Sequence, residues 1–288
     1  IKIQGNHEIE RLFAEEMPCP FLSLLIDDCI ATGKDYHNGG ARYNTSYIQG
    51  VGLGSITDAL TAIKHHVFDE KTVTLQELNA RLSANFEGDE HFRQVLLNRT
   101  PKFGNDDDCA DDFMLRVFET YFNAIDGKPN WKGGTYHINL LPTTVHIYFG
   151  KVTGALPDGR LANTPLSEGI SPVQGADRNG PTAVLLSAAK MDHGRTGGTL
   201  LNQKFTPQLL ETESSLQKLG GLIRTYFKLG GHHIQFNVVD ADTLRDAKAN
   251  PAQYRDLIVR VAGYSDYFCD LSEALQDEII HRTEHKGF

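Results

Sequence analysis

The chain has four thiols, Cys19, Cys29, Cys109 and Cys269, and their scatter argues against most thiol chemistry. None stands in a CxxC pair, so a zinc or iron–sulfur site is not expected. Four cysteines in 288 residues are too few for a disulfide framework, and buried free thiols in a reducing compartment are the expectation. His65-His66 and His232-His233 are adjacent pairs, which point about 100° apart on a helix and to opposite faces on a strand, so neither pair chelates alone. His7-Glu8-Ile9-Glu10 lacks the second histidine of a zinc-protease helix. Counted from Asp106, a calcium loop would need Gly at its sixth position and Glu at its twelfth, where Asp111 and Val117 stand. The acidic run instead suits the positive end of a following helix. Gly50-Val51-Gly52-Leu53-Gly54 has the wrong spacing for a dinucleotide loop, and Gly197-Gly198-Thr199 lacks the Lys of a phosphate loop.

Arg260-Val261-Ala262-Gly263-Tyr264-Ser265 is more informative. By spacing alone it is a strand end and a turn, with Gly263 permitting a backbone angle other residues resist. Chemically, glycine is also a special hydrogen-atom donor. Its α-carbon radical flattens without a side-chain clash, and the flanking amide nitrogen and carbonyl both delocalise the unpaired electron. A stored backbone radical calls for Gly in a dry, protected loop.

The elements that must position such a residue follow from patterning. Hydrophobic residues make up 40% and charged residues 23%, the profile of a soluble globular chain, and 288 residues suffice for one large domain or two ordinary ones. A net charge of −9 argues against nucleic acid as the main partner, and no apolar run approaches a membrane span. The first half reads as helical: a segment from Ser55 with Leu60, Ile63 and Val67, a capping box at Thr74 and Glu77, and a helix over Asp111–Ala124. From Gly133 to Gly220 the chain is rich in Gly, Pro, Thr and Asn. There Tyr136–Leu141 and Val145–Phe149 are predicted as short buried strands on either side of Pro142, and Asp158-Gly159-Arg160 as a turn. Helix returns over Ser215–Tyr226. The strand His232–Val239 then sets His233, Gln235 and Asn237 on one face and Ile234, Phe236 and Val238 on the other, the polar face lining a cavity. Asp240–Ala249 is predicted as a helix, and Ser272 as the cap of a last helix carrying Leu275, Ile279 and Ile280.

The stretch Leu257–Glu284 closely resembles the C-terminal signature of glycyl radical enzymes, the pyruvate formate-lyase-like family. Leu166–Pro172, Asn179–Ala183, Gly198–Phe205 and His233–Val239 are similar to its dehydratase and lyase branch. The resemblance implies an α/β fold, the C-terminal portion of a ten-stranded barrel surrounded by helices. Residues 1–160 would then belong to the barrel domain and 161–288 to the glycine radical region, with the radical loop near 260–265. It implies that Gly263 is the radical residue, activated by a separate enzyme that uses S-adenosylmethionine and an iron–sulfur cluster. The glycyl radical converts a cysteine to a thiyl, and the thiyl takes hydrogen from a small-molecule substrate. No bound metal is implied. Cytoplasmic residence under anaerobic conditions follows, because oxygen cleaves the chain at a glycyl radical, and a homodimer is expected by analogy.

One departure matters. The family's thiyl cysteine stands in a Gly-Cys-x-Glu loop, with the Glu as acid or base, and none of the four cysteines here fits. The chain therefore reads as a fragment lacking the upstream part of the same enzyme, as one subunit of a split enzyme, or as a non-catalytic radical repair or partner subunit. The opening Ile1-Lys2-Ile3, without an initiator Met, favours the fragment. Gly133–His146 is most similar to the branch that dehydrates trans-4-hydroxy-L-proline, which makes Thr143 a candidate for the substrate carboxylate and Tyr136 a candidate pocket residue. Isethionate sulfite-lyases and diol dehydratases share the framework and are the alternatives.

Overall fold

The structure is a computed structural model that describes residues 1–141 and 143–287; Pro142, expected to separate two strands, lies outside them. The chain divides into two compact units, residues 1–49 with 119–139 and residues 50–118 with 140–288.

The first unit opens with helices α1 (Lys2–Glu16), α2 (Pro20–Leu25) and α3 (Cys29–Thr32). Strand β1 (Ser46–Gln49) pairs in parallel with β2 (Tyr136–Asn139), Ser46 opposite Tyr136 and Ile48 opposite Ile138. β2 is where the sequence predicts a strand; β1 is an addition, its alternating burial spread over only four residues. Close approach of the two segments needs glycine at 134, where a Cβ would stand 2.2 Å from the Asn44 carbonyl oxygen. Asn130 supports the same corner, its Nδ2 donating to the Asn44 carbonyl and to Ser46 Oγ.

The second unit begins with α4 (Leu53–Ala62), entered through Gly52 at φ +79° and prolonged by a π-helical stretch over Ile63–Asp69. Gly50–Gly54 is thus a tight entry to a helix and not a dinucleotide loop. Helix α5 (Leu75–Ser83) carries the anticipated capping box: Glu77 N donates to Thr74 Oγ1, and Thr74 N donates to the Glu77 carboxylate. After α6 (Glu90–Arg99) comes α7 (Asp108–Ile125), whose first turn bears the acidic run. Lys190 gathers that run, 2.7 Å from both Asp108 and Asp111 and 3.1 Å from Asp106. The acidic cluster therefore has its cation within the chain as well as a helix dipole.

Val145–Phe149, predicted as a strand, is instead the start of helix α8 (Val145–Val152). Its β-branched and aromatic residues suit a strand, but the buried pair is His146 and Gly150, four apart on one helical face. At Gly150 a Cβ would lie 2.3 Å from Thr164 O and 2.8 Å from Pro165 Cα, all backbone that cannot swing aside. Gly150→Ala is expected to destabilise the protein by about 1–3 kcal/mol, the usual cost of overpacking, read as a lower urea midpoint at unchanged slope. Helix α9 (Gly180–Ala189) was not predicted either. It is buried around most of its circumference, at Pro181, Ala183, Val184, Leu185, Ser187 and Ala188, so it shows no apolar stripe.

Strand β3 (Leu201–Phe205), helix α10 (Glu213–Lys228), strand β4 (Ile234–Val238) and helix α11 (Ala241–Ala249) follow. Strands β5 (Ile258–Arg260) and β6 (Ser265–Tyr267) form an antiparallel hairpin, Arg260 opposite Ser265. Helix α12 (Glu273–His281) starts at Ser272 as predicted, although the Ser272 side chain makes no capping bond, and β7 (Glu284–His285) completes a parallel sheet in the order β4-β3-β7. One core cluster joins the hairpin to these helices: Val259, Val261 and Phe268 pack with Leu244, Ala247, Leu275, Ile279 and Ile280. Among the described residues no helix is long and apolar enough to cross a membrane.

Candidate radical site

Gly263 lies at the tip of the β5–β6 hairpin with φ +78°, a left-handed conformation that glycine adopts without penalty. The turn closes through Val261 N, which donates to Tyr264 O at 2.9 Å. Val261 and Ala262 are buried, whereas Gly263 and Tyr264 are exposed in this chain, so the tip projects from an anchored base.

The base is held by side chains aimed at backbone. Asn237 makes a two-way contact with Arg260: its Nδ2 donates to Arg260 O and its Oδ1 accepts from Arg260 N, each at 2.8 Å. Gln235 accepts from Gly263 N at 3.0 Å and donates to Val261 O at 3.4 Å, and its amide is oriented by a further bond to Asn202 Oδ1 on β3. Both residues belong to the polar face of β4. The sequence sets that face toward a cavity; in the structure it is buried, Gln235 at 5% and Asn237 at 6% exposure, and its partners are the backbone of the glycine loop. The third polar residue of that face, His233, is half-buried, and burial followed by Arg260 and His232 lowers its pKa.

From the other side comes α12. Arg282 donates to Val261 O at 2.9 Å and to Arg260 O at 3.3 Å, and it is paired with Glu278 at 2.8 Å. His146 Nε2 is 3.6 Å from the opposite oxygen of Glu278. Burial works to raise the Glu278 pKa, but Arg282 and His146 overcome it and hold the carboxylate well below its ordinary range. Glu168 is equally buried, and desolvation raises its pKa even though Arg282 acts the other way. One guanidinium thus serves one ionised carboxylate and two backbone carbonyls, with a second carboxyl kept nearer its neutral form. On β3, Lys204 is buried and donates to Ile280 O at 2.9 Å, satisfying a carbonyl at the end of α12, and burial lowers its pKa to about 8.

The remaining predicted residues are placed plainly. Thr143 is exposed just before α8 in the second unit. Tyr136 belongs to the first unit and is fully buried, stacked on His7 with ring centroids 5.7 Å apart; burial and then Glu10 raise its phenol pKa. The cysteines are free, as expected, but of the four only Cys29 is buried; Cys19 and Cys269 are half-buried and Cys109 is exposed. Cys269, in the same core as the hairpin, is pinned under the turn after α11, its thiol 3.3 Å from Tyr254 O. Two groups of ligand-type side chains converge, Cys19 with Asp35 and His37 and His65 with His66 and Glu70, but both are engaged locally. Asp35 accepts from Cys19 N, Ser23 Oγ and His37 N, and His66 Nε2 meets Thr100 Oγ1 at 2.8 Å. A cavity of about 610 Å³ in the second unit is bordered by Asp58, Lys102, Asp158, Arg160 and Arg178. Its cations are largely committed, Arg160 to the carbonyls of Gly150 and Gly154 and Lys102 to Asp158 O.

A glycine at positive φ, on a hairpin clamped from two sides, matches the glycine radical family over residues 166–269. The pyruvate formate lyase-like family matches residues 1–150, and the chain belongs to that family. It is 58% identical over 99% of its length to trans-4-hydroxy-L-proline dehydratase from Clostridioides difficile, 36% of which it covers. The crystal structure of hydroxyproline dehydratase from that organism, with trans-4-hydroxy-L-proline bound, superposes with a TM-score of 0.96 at 57% identity over 99% of this chain and 36% of that one. The glycerol-bound B12-independent glycerol dehydratase from Clostridium butyricum gives 0.93 at 45% identity over 97% of this chain and 36% of that one. The expected α/β fold of this family is therefore the observed one. The chain spans about a third of the length of the curated relatives it matches.

Proposed function

We propose that this chain is the radical-storing part of a lyase that removes water from a small hydroxylated substrate, trans-4-hydroxy-L-proline being the first choice. The observation that carries the reading is Gly263: a glycine at φ +78°, its N–H bound to a buried side chain, inside the segment that matches the glycine radical family. The 58% identity to the hydroxyproline dehydratase supports the substrate. In this reading residues 1–160 are barrel and 161–288 the glycine radical region. A hydrogen atom leaves Gly263 Cα, and the flanking amides share the unpaired electron. A separate activating enzyme with S-adenosylmethionine and an iron–sulfur cluster removes it. The thiyl cysteine and its Glu stand outside this chain, in the upstream part of the same enzyme, and the holoenzyme is a cytoplasmic homodimer working without oxygen. Thr143 holds the substrate carboxylate through its hydroxyl. What the protein contributes to such chemistry is position and exclusion of water.

The test is to add trans-4-hydroxy-L-proline to the activated whole enzyme without oxygen. A product lighter by one water, together with the converted enzyme's inertness toward isethionate and diols, is expected. Sulfite released from isethionate, or a diol dehydrated in preference, would replace this substrate with one of the alternatives.

A further inference from the structure

We propose that Gln235 is a positioning residue for the radical glycine, an inference that rests on the radical reading above. Gln235 is 5% exposed, and its one amide serves both ends of the hairpin tip: Oε1 accepts from Gly263 N at 3.0 Å and Nε2 donates to Val261 O at 3.4 Å. The donor at Gly263 N and the acceptor at Val261 O fix which end of the amide faces the glycine, and Asn202 Oδ1, on the neighbouring strand, takes the other Nε2 proton. A reversed amide would present an N–H to an N–H. Strand pairing sets Asn202 directly opposite Gln235, so the sheet register brings the two amides together.

The other clamps leave the glycine itself untouched. Asn237, two residues further along β4 than Gln235, holds Arg260, and Arg282 holds the carbonyls of Arg260 and Val261. Gln235 is the side chain that reaches the Gly263 amide. Rotation about the N–Cα bond of Gly263 decides how far the nitrogen lone pair overlaps the half-filled orbital on Cα. An acceptor on the N–H limits that rotation and polarises the nitrogen toward the carbon. Gln235 thereby sets both where the α-carbon stands and how much spin remains on it.

Two readings on the whole enzyme test this. Hydrogen exchange needs no radical: Gln235→Leu is expected to speed exchange at the Gly263 amide roughly tenfold, the effect of one lost buried hydrogen bond, while peptides of α10 stay unchanged. Anaerobic electron paramagnetic resonance of the activated variant should then show an altered splitting from the remaining α-hydrogen, a broader line and lower turnover. Gln235→Glu keeps an acceptor for Gly263 N, Arg282 still serves Val261 O, and Asn202 can turn its Nδ2 to the new carboxylate, so this variant should restore both the protection and the splitting. Parental exchange in Gln235→Leu, or faster exchange with parental splitting and turnover, overturns the positioning role. A parent enzyme without any radical overturns the proposed function instead, and the exchange result still decides whether Gln235 holds the loop.

Discussion

Gly263→Ala in the whole enzyme is expected to abolish turnover, a loss on the order of 10⁶-fold or to the assay floor, with the fold left standing. The structural cost of the substitution is small. Within this chain a Cβ at 263 meets no atom within 4 Å, so the penalty here is that of holding an L-residue at φ +78°, about 1–2 kcal/mol. The chemical cost is large, because a methyl group crowds a flattened α-carbon and stands where hydrogen must be removed and returned. Parental circular dichroism and a melting point only a few degrees lower, beside absent turnover, is the expected pair of results. Parental turnover would remove Gly263 from the chemistry.

Arg282→Met should have the largest effect on stability, about 3–5 kcal/mol. The change takes the guanidinium from the buried Glu278 carboxylate and strips a donor from Val261 O and another from Arg260 O. Glu278→Gln with Arg282→Met removes the charge as well as the guanidinium, and the double variant should regain part of the loss. Denaturant unfolding of the two single variants and the double variant gives the coupling directly. Additive losses would show that the pair is not the lock on the hairpin. Because Val261 is anchored by Arg282, the single variant should also loosen the glycine loop, seen as faster exchange across residues 260–263.

Much of this site is legible in the chain, and the parts that are not have physical reasons. The alternation of His232–Val239 separates two faces cleanly, but it does not say which is inward. The usual rule is inverted here: Gln235 and Asn237 are buried, while Val238 is 48% exposed, because the polar face has backbone to satisfy. Glu278 and Arg282 stand four residues apart, a spacing common to exposed ion pairs on helices. Their position tells more, since Leu275, Glu278 and Ile279 fall at i, i+3 and i+4, the core-facing stripe of α12, and Arg282 follows directly at its end. Charges on such a stripe point to buried partners. Val145–Phe149 misleads because local β preference outweighs a signal as slight as His146 and Gly150 four residues apart. Asn202 and Glu168 lie in segments that resemble the family, but no periodicity marks what either side chain does. Their roles come from strand register and from packing between segments more than a hundred residues apart, as Glu168 and Arg282 are.

The most direct test of a stored radical on Gly263 is anaerobic electron paramagnetic resonance of the whole enzyme after treatment with its activating enzyme and S-adenosylmethionine. The account predicts a doublet that collapses toward a single line when the protein is grown on α-deuterated glycine, and that vanishes in Gly263→Ala. Silence from the parent protein, with an activating enzyme shown to work on another glycyl radical enzyme, would contradict it.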